Sequence, residues 1–218
     1  MFIVIDWLDG SGKGTQTWLV VAELEKQGKK VLLLDYPRYG NSGAYFIEKY
    51  LNWEYWTSVS AKRASLFYAL DRFDDLHDAQ NTFSDYDYII SNRYVSASMI
   101  HQAGKIKDST QRIEFLDWLA ELEYEICGIP KPDKVLFLDV PPEVSQRLVE
   151  KKELREYIKD GTNKDIHEAD DHHMDDAYGA ALQVVQHFSD TWERVNCCKN
   201  WEILPIETIT QKILTKIT

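Results

Sequence analysis

Near the N-terminus a short apolar run, Phe2-Ile3-Val4-Ile5-Asp6, breaks into Trp7-Leu8-Asp9-Gly10-Ser11-Gly12-Lys13-Gly14-Thr15 and then into a stretch of helical period. Strand, glycine-rich turn and helix in that order constrain the chain more than any other feature, because together they build a cradle for polyphosphate. Glycines let backbone N–H groups close round phosphate oxygens with no Cβ in the way, and the N-terminus of the following helix favours negative charge. Lys13 adds a mobile cation over the β- and γ-phosphates of a nucleoside triphosphate. Asp9, Gly10, Ser11, Gly12, Lys13, Gly14 and Thr15 are therefore the candidate ATP-binding residues. Against the pattern G-x-x-x-x-G-K-[ST] two positions depart: Trp7 stands at the first glycine and Gly14 at the hydroxyl. Thr15, directly or through water, is left to serve a magnesium ion.

Beyond the cradle, short apolar runs alternate with longer helical stretches, the pattern of a parallel sheet wrapped by helices. Predicted strands are Phe2–Asp6, Lys30–Asp35, Tyr88–Ser91, Lys134–Asp139 and Trp201–Pro205. Predicted helices include Lys13–Gln27 and Thr110–Ile126, the second with Phe115, Leu116, Leu119, Leu122 and Ile126 on one face. With 218 residues, 44% of them hydrophobic, the chain is read as one domain over 1–218: a three-layer α/β fold of the P-loop NTPase kind, its five-stranded parallel sheet flanked by helices. Dense charge and sparse apolar residues mark about 151–176 as a mobile lid insertion.

The formal charge of −11, with no local excess of Lys and Arg, argues against a nucleic-acid partner. No apolar run reaches the roughly 20 residues that span a bilayer, and no signal-peptide pattern opens the chain. A cytoplasmic protein is expected. Cys127, Cys197 and Cys198 have no metal-ligand spacing and are read as ordinary thiols.

Arg38 and Arg93 each follow a predicted strand at its C-terminal end, where open α/β sheets bind ligands, so two guanidinium groups can converge on one phosphate. Alone, either is more often a surface ion pair; together with the cradle, the phosphate reading is favoured. Tyr68 and Arg72 share a helical face, which suits an aromatic plate under a pyrimidine and a fork on its carbonyl edge. Core packing for Tyr68 and a helix-surface ion pair for Asp71-Arg72 are the alternatives.

Asp9-Gly10-Ser11-Gly12-Lys13, Tyr36-Pro37-Arg38-Tyr39-Gly40, Tyr68-Ala69-Leu70-Asp71-Arg72, Asn92-Arg93-Tyr94 and Pro130-Lys131-Pro132-Asp133 follow one another along the chain. In that combination the chain resembles the thymidylate kinase family, from the first strand through the acidic insertion. The resemblance implies phosphorylation of dTMP to dTDP with ATP and Mg²⁺, on the way to dTTP, by a homodimer. It implies that Arg38 and Arg93 hold the acceptor phosphate and that Asp9 meets the deoxyribose 3′-hydroxyl. Tyr36, Tyr39, Tyr68, Arg72, Asn92, Ser98, Gln102 and His167 would complete the dTMP site. Lys13, Asp9, Arg93 and a lid cation, Arg147 or Arg155, would be catalytic. Asn92 stands where the family usually has Asp, His167 where it often has Tyr, and Ser98 where some members have Asn; Gly10 occupies a place that some fill with Arg. The run His167-Glu168-Ala169-Asp170-Asp171-His172-His173 suggests zinc, but its first two histidines are five apart. A zinc motif sets them at i and i+4, so an acidic lid segment is the reading. Rival readings are a P-loop kinase for another small acceptor and a nucleotide-binding module without turnover.

Three of the seven tryptophans, Trp7, Trp53 and Trp56, stand where glycine is expected. Either these are true substitutions, with Trp7 obstructing the cradle, or they are UGA codons that the source reads as glycine.

Overall fold

The computed structural model describes residues 1–7, 13–52, 54–55, 59–148 and 173–217, without the side chains of Lys13 and His173. Five strands, β1 (Phe2–Asp6), β2 (Val31–Asp35), β3 (Tyr88–Asn92), β4 (Lys134–Asp139) and β5 (Trp192–Asn196), form one sheet in the order β2-β3-β1-β4-β5. Every neighbouring pair in it is parallel. Parallel neighbours need long crossovers, and these are supplied by α1 (Lys13–Lys26), α2 (Tyr45–Leu51), α3 (Ala61–Ala79), α4 (Val95–His101), α5 (Ser109–Ala120), α6 (142–148) and α7 (His173–His187). A closing helix, α8 (Ile206–Ile217), packs on α1. β1 is buried along its whole length, as a central strand covered on both faces must be.

Four strands fall within one residue of their predicted bounds. The fifth does not: Trp201–Pro205 is not a sheet strand, and the position belongs to Trp192–Asn196. Glu202–Ile203 (β7) instead pairs antiparallel with Cys198–Lys199 (β6) in a small hairpin. Strand β5 escaped notice because three of its five residues are polar and its two buried ones, Trp192 and Val195, are three apart rather than alternating; Arg194 reaches back to the carboxylate of Asp139 on β4 at 2.7 Å. The predicted helix Thr110–Ile126 is real but changes type, α5 running into a π-helical turn over Glu121–Ile126. That wider turn shifts the buried face. Phe115, Leu116 and Leu119 stay inside as predicted, Ile126 is 69% exposed, and Glu123 is turned into the interior at 0%.

No helix among the described residues is long and apolar enough to cross a membrane. The three cysteines are free thiols.

Besides the main core, a second cluster of Ala44, Ile47, Tyr50, Leu51 and Ala64 lies between α2 and α3. Lys105 leans on it, donating from Nζ to the hydroxyl of Tyr50, its ammonium 4.8 Å from the centre of that ring. Burial pushes the lysine down from 10.5 to about 8. Between those two values the unfolded chain holds the extra proton, so this group makes stability rise with pH there; below about 8 the cost of burying the charge is present in full. Lys105→Met is expected to stabilise the fold in urea titrations at about pH 7 and by clearly less at about pH 10. An equal gain at both would contradict the assignment.

Candidate active site

Three strand ends meet at one level on the carboxyl edge of the sheet. Ile5 and Asp35 both lie opposite Asn92. The ladder runs one step further, Arg93 N donating to the carbonyl of Ile5 and Tyr36 N to that of Asn92, each at 3.1 Å. The chain therefore leaves β1 for the glycine-rich turn, β2 for Tyr36-Pro37-Arg38-Tyr39 and β3 for Arg93 along one edge, where open α/β sheets take their ligands. Asp6, fully buried at the end of β1, accepts from the Ser96 hydroxyl and, at 2.6 Å, from Trp7 N. Asp9, Gly10, Ser11 and Gly12 lie outside the described residues, as do Arg155 and His167. Gly14 and Thr15 are in the first turn of α1, with Thr15 exposed.

Beside this edge opens a cleft. Tyr36, Pro37 and Tyr39 form the wall that follows β2, Leu51 comes from α2, and Tyr68 and Arg72 from α3. Arg93 leads into a face of α4 made by Tyr94, Ala97, Ser98, His101 and Gln102. Of the predicted acceptor residues, Tyr36, Tyr39, Tyr68, Arg72, Arg93, Ser98 and Gln102 are thus brought together. Tyr68 stands edge-on to Tyr50, ring centres 6.4 Å apart, which fixes the plate. Gln102 is 1% exposed, and its Oε1 has no hydrogen-bond partner among the described residues, so it is available to a ligand donor. Arg93 has φ +63°, a left-handed conformation that costs a non-glycine residue about 1–2 kcal/mol. The Ser91 hydroxyl donates to its carbonyl and helps hold it there.

Arg72 is buried and forked on Glu123, Nε to Oε2 at 3.0 Å and Nη2 to Oε1. Nη1 donates to the Tyr94 carbonyl at 3.3 Å and Nη2 to Ser98 Oγ at 3.4 Å. Four of its five N–H groups are engaged in these contacts, leaving one on Nη1. The helix-surface alternative for Asp71-Arg72 does not hold, because both side chains are buried and each pairs elsewhere.

Arg38, expected beside Arg93 on one phosphate, is paired with carboxylates of α3 in this structure. It does not line the cleft. Its guanidinium is spent on α3, bonding Asp71 at 3.0 Å, Asp74 at 2.7 Å and Asp75 at 2.9 Å. Gly43 permits the packing, since a Cβ there would stand 2.7 Å from Arg38 Nη2. The same cluster takes the Tyr36 hydroxyl, 2.6 Å from Asp75. Asn92 also stays out of the cleft, donating from Nδ2 to Asp35 at 2.7 Å. Arg147 is exposed and bonds the Trp201 carbonyl at 2.9 Å, on the side of the β6-β7 hairpin.

A family model described as thymidylate kinase matches residues 5–187, a span that includes the carboxyl ends of β1, β2 and β3 and the whole cleft. The chain belongs to the thymidylate kinase family. It is 31% identical over 147 residues to the thymidylate kinase of Mycobacterium tuberculosis, covering 66% of this chain and 68% of that one. With the thymidylate kinase of Plasmodium falciparum it shares 26% over 189 residues, covering 87% and 84%. The fold matches that of Candida albicans thymidylate kinase with a TM-score of 0.71 at 19% identity, over 99% of this chain and 90% of the other.

Sequence reasoning missed Tyr94, Ala97 and His101, although their spacing with Ser98 and Gln102 is that of one helical face and was readable. Glu123 was not readable, because its inward direction depends on the π-turn. Glu123→Gln, which leaves a buried guanidinium without its counter-charge, is expected to lose about 3–5 kcal/mol in urea unfolding. Arg72→Met in the same chain should recover part of it. A loss under about 1 kcal/mol for the single change would mean that the pair is not desolvated.

Proposed function

We propose that the chain transfers the γ-phosphoryl group of ATP to the 5′-phosphate of dTMP: a phosphate oxygen of dTMP attacks, the bond to the β-phosphate oxygen breaks, and ADP leaves with that electron pair. The observation that carries this reading is one cleft at the carboxyl edge of the sheet, lined by Arg93, Tyr68 and Arg72 and opening where the chain leaves β1 for the glycine-rich turn. Arg93 binds the acceptor phosphate, Tyr68 stacks on thymine, and the Arg72 Nη1–H left by Glu123 meets a base carbonyl. Gln102 Oε1 accepts from a sugar or base donor. The glycine turn and Lys13 hold the polyphosphate. Magnesium, which neutralises charge on the transferring group, fits beside the Thr15 hydroxyl, which is exposed on the first turn of α1. Because Arg147 is tied to the hairpin, the cation that closes over the transferring group is assigned to Arg155. Closure excludes the water that would otherwise take the phosphoryl group.

The expected homodimer has a face available. Leu66, Leu70 and Phe73 follow one another along α3 at 42%, 50% and 39% exposure. A two-fold axis across α3 would set this stripe against itself. The free vicinal thiols Cys197 and Cys198 suit a reducing cytoplasm.

An ADP-release assay across dTMP, dUMP, dCMP, AMP and thymidine, run on the chain as given and on Trp7→Gly, is expected to give the highest kcat/KM with dTMP; a higher value for any other acceptor defeats the proposal. Arg93→Ala should lower that kcat/KM by about 10²-fold or more, whereas Arg38→Ala should act chiefly on stability. Leu70→Glu is expected to shift the sedimentation coefficient from dimer to monomer, and an unchanged dimer would move the interface elsewhere.

A further inference from the structure

The hairpin after β5 carries a residue that its backbone does not suit. Cys198 lies opposite Ile203 and Lys199 opposite Glu202, so Asn200 and Trp201 alone make the turn. Their φ angles are +52° and +62°. A two-residue loop with both φ positive is a type I′ turn, the form that matches the twist of the flanking strands, and its preferred sequence is Asn-Gly. Asparagine is in place, but a bulky aromatic occupies the glycine position, where Cβ crowds the following carbonyl. No packing offsets this. The indole is 63% exposed and has no hydrogen bond or ring contact among the described residues.

Trp7 shows the opposite misfit. It is fully buried where the chain leaves β1, and its Nε1 has no hydrogen-bond partner among the described residues, although buried tryptophans ordinarily satisfy that donor. The phosphate-loop pattern asks for glycine at this position. Trp53 and Trp56 lie outside the described residues, in the run Leu51-Asn52-Trp53-Glu54-Tyr55-Trp56 where glycines are expected from the sequence. By contrast, Trp118 takes the Lys62 ammonium 4.9 Å above its ring and packs 5.8 Å from Phe115, and Trp192 is 6% exposed within β5. Those two rings are used as tryptophan is used.

We infer that the protein made in its own host carries glycine at positions 7, 53, 56 and 201, each encoded by a UGA triplet that the host reads as glycine, while positions 118 and 192 are UGG-encoded tryptophans. One codon then accounts for the misfits at 7 and 201; Trp18, 65% exposed on α1, has no positive φ and stands at a helical position that does not call for glycine. Trp201→Gly turns Asn200-Trp201 into the preferred pair for the observed turn, and Trp7→Gly completes G-x-x-x-x-G-K. The turn argument stands apart from the proposed kinase function; the argument at position 7 rests on it.

The test reads the codons and weighs tryptic peptides of the protein isolated from its host. UGA at the four positions, UGG at 118 and 192, and peptide masses with glycine are expected; UGG at 7 or 201, or tryptophan in those peptides, overturns the inference. In recombinant protein Trp201→Gly should raise Tm by about 2–4 °C, while Trp118→Gly lowers it. An unchanged or lower Tm for Trp201→Gly overturns the turn argument. Phosphoryl transfer by the fourfold glycine variant is a separate readout. Glycine in the host peptides with no transfer to dTMP sinks the kinase proposal and leaves this inference standing; transfer with UGG codons does the reverse.

Discussion

The site depends on two backbone hydrogen bonds, Arg93 N to Ile5 O and Tyr36 N to Asn92 O. They carry the parallel ladder one residue past the ends of β1, β2 and β3, so three connections leave the sheet at one height. β3 lies between β2 and β1, and its end is held from both sides. Arg93 is thereby kept where the chain must turn sharply into α4, in the left-handed region that few arginines adopt. A one-residue slip of β3 would reverse every side-chain direction along it, and the buried run Ile89-Ile90-Ser91 specifies against that slip. The position of Arg93 thus follows from the packing of the core.

Two adjacent charges on α3 fix the two sides of the cleft. Successive helical residues point about 100° apart, so Asp71 and Arg72 reach partners on opposite sides: Arg38 in the wall after β2, and Glu123 beneath α5. Buried ion pairs of this kind add little net stability but resist rearrangement, because breaking one leaves an unpaired charge in a dry place. Three carboxylates around the Arg38 guanidinium leave that side of the wall net negative. Arg93 lines the open cleft.

What was legible in the sequence was contiguous. The first four strands and the loops carrying Tyr36–Tyr39 and Asn92–Tyr94 each declare themselves within ten residues, by apolar period or turn chemistry. The cleft face of α4 was legible too, through the spacing of Tyr94, Ala97, Ser98, His101 and Gln102. What failed depended on distant partners or on a change of helical period. Which carboxylates Arg38 pairs with was not legible, because they stand 33 to 37 residues further on. Ile126 and Glu123 exchanged faces because a π-turn altered the period within an otherwise regular helix. Strand β5 was hidden because its pairing to β4 relies on Arg194 and Asp139, charges that argue against a core strand when read alone.

The hairpin after β5 is tied to α6. Arg147, on α6, bonds the carbonyl of residue 201, a backbone atom that is present whatever side chain stands there. The contact depends on the φ of the turn, and glycine adopts that φ without strain where tryptophan must be forced into it. A relaxed turn would hold that contact at lower conformational cost, so the glycine assignment at 201 bears on the anchoring of α6 as well as on the local fit of one residue.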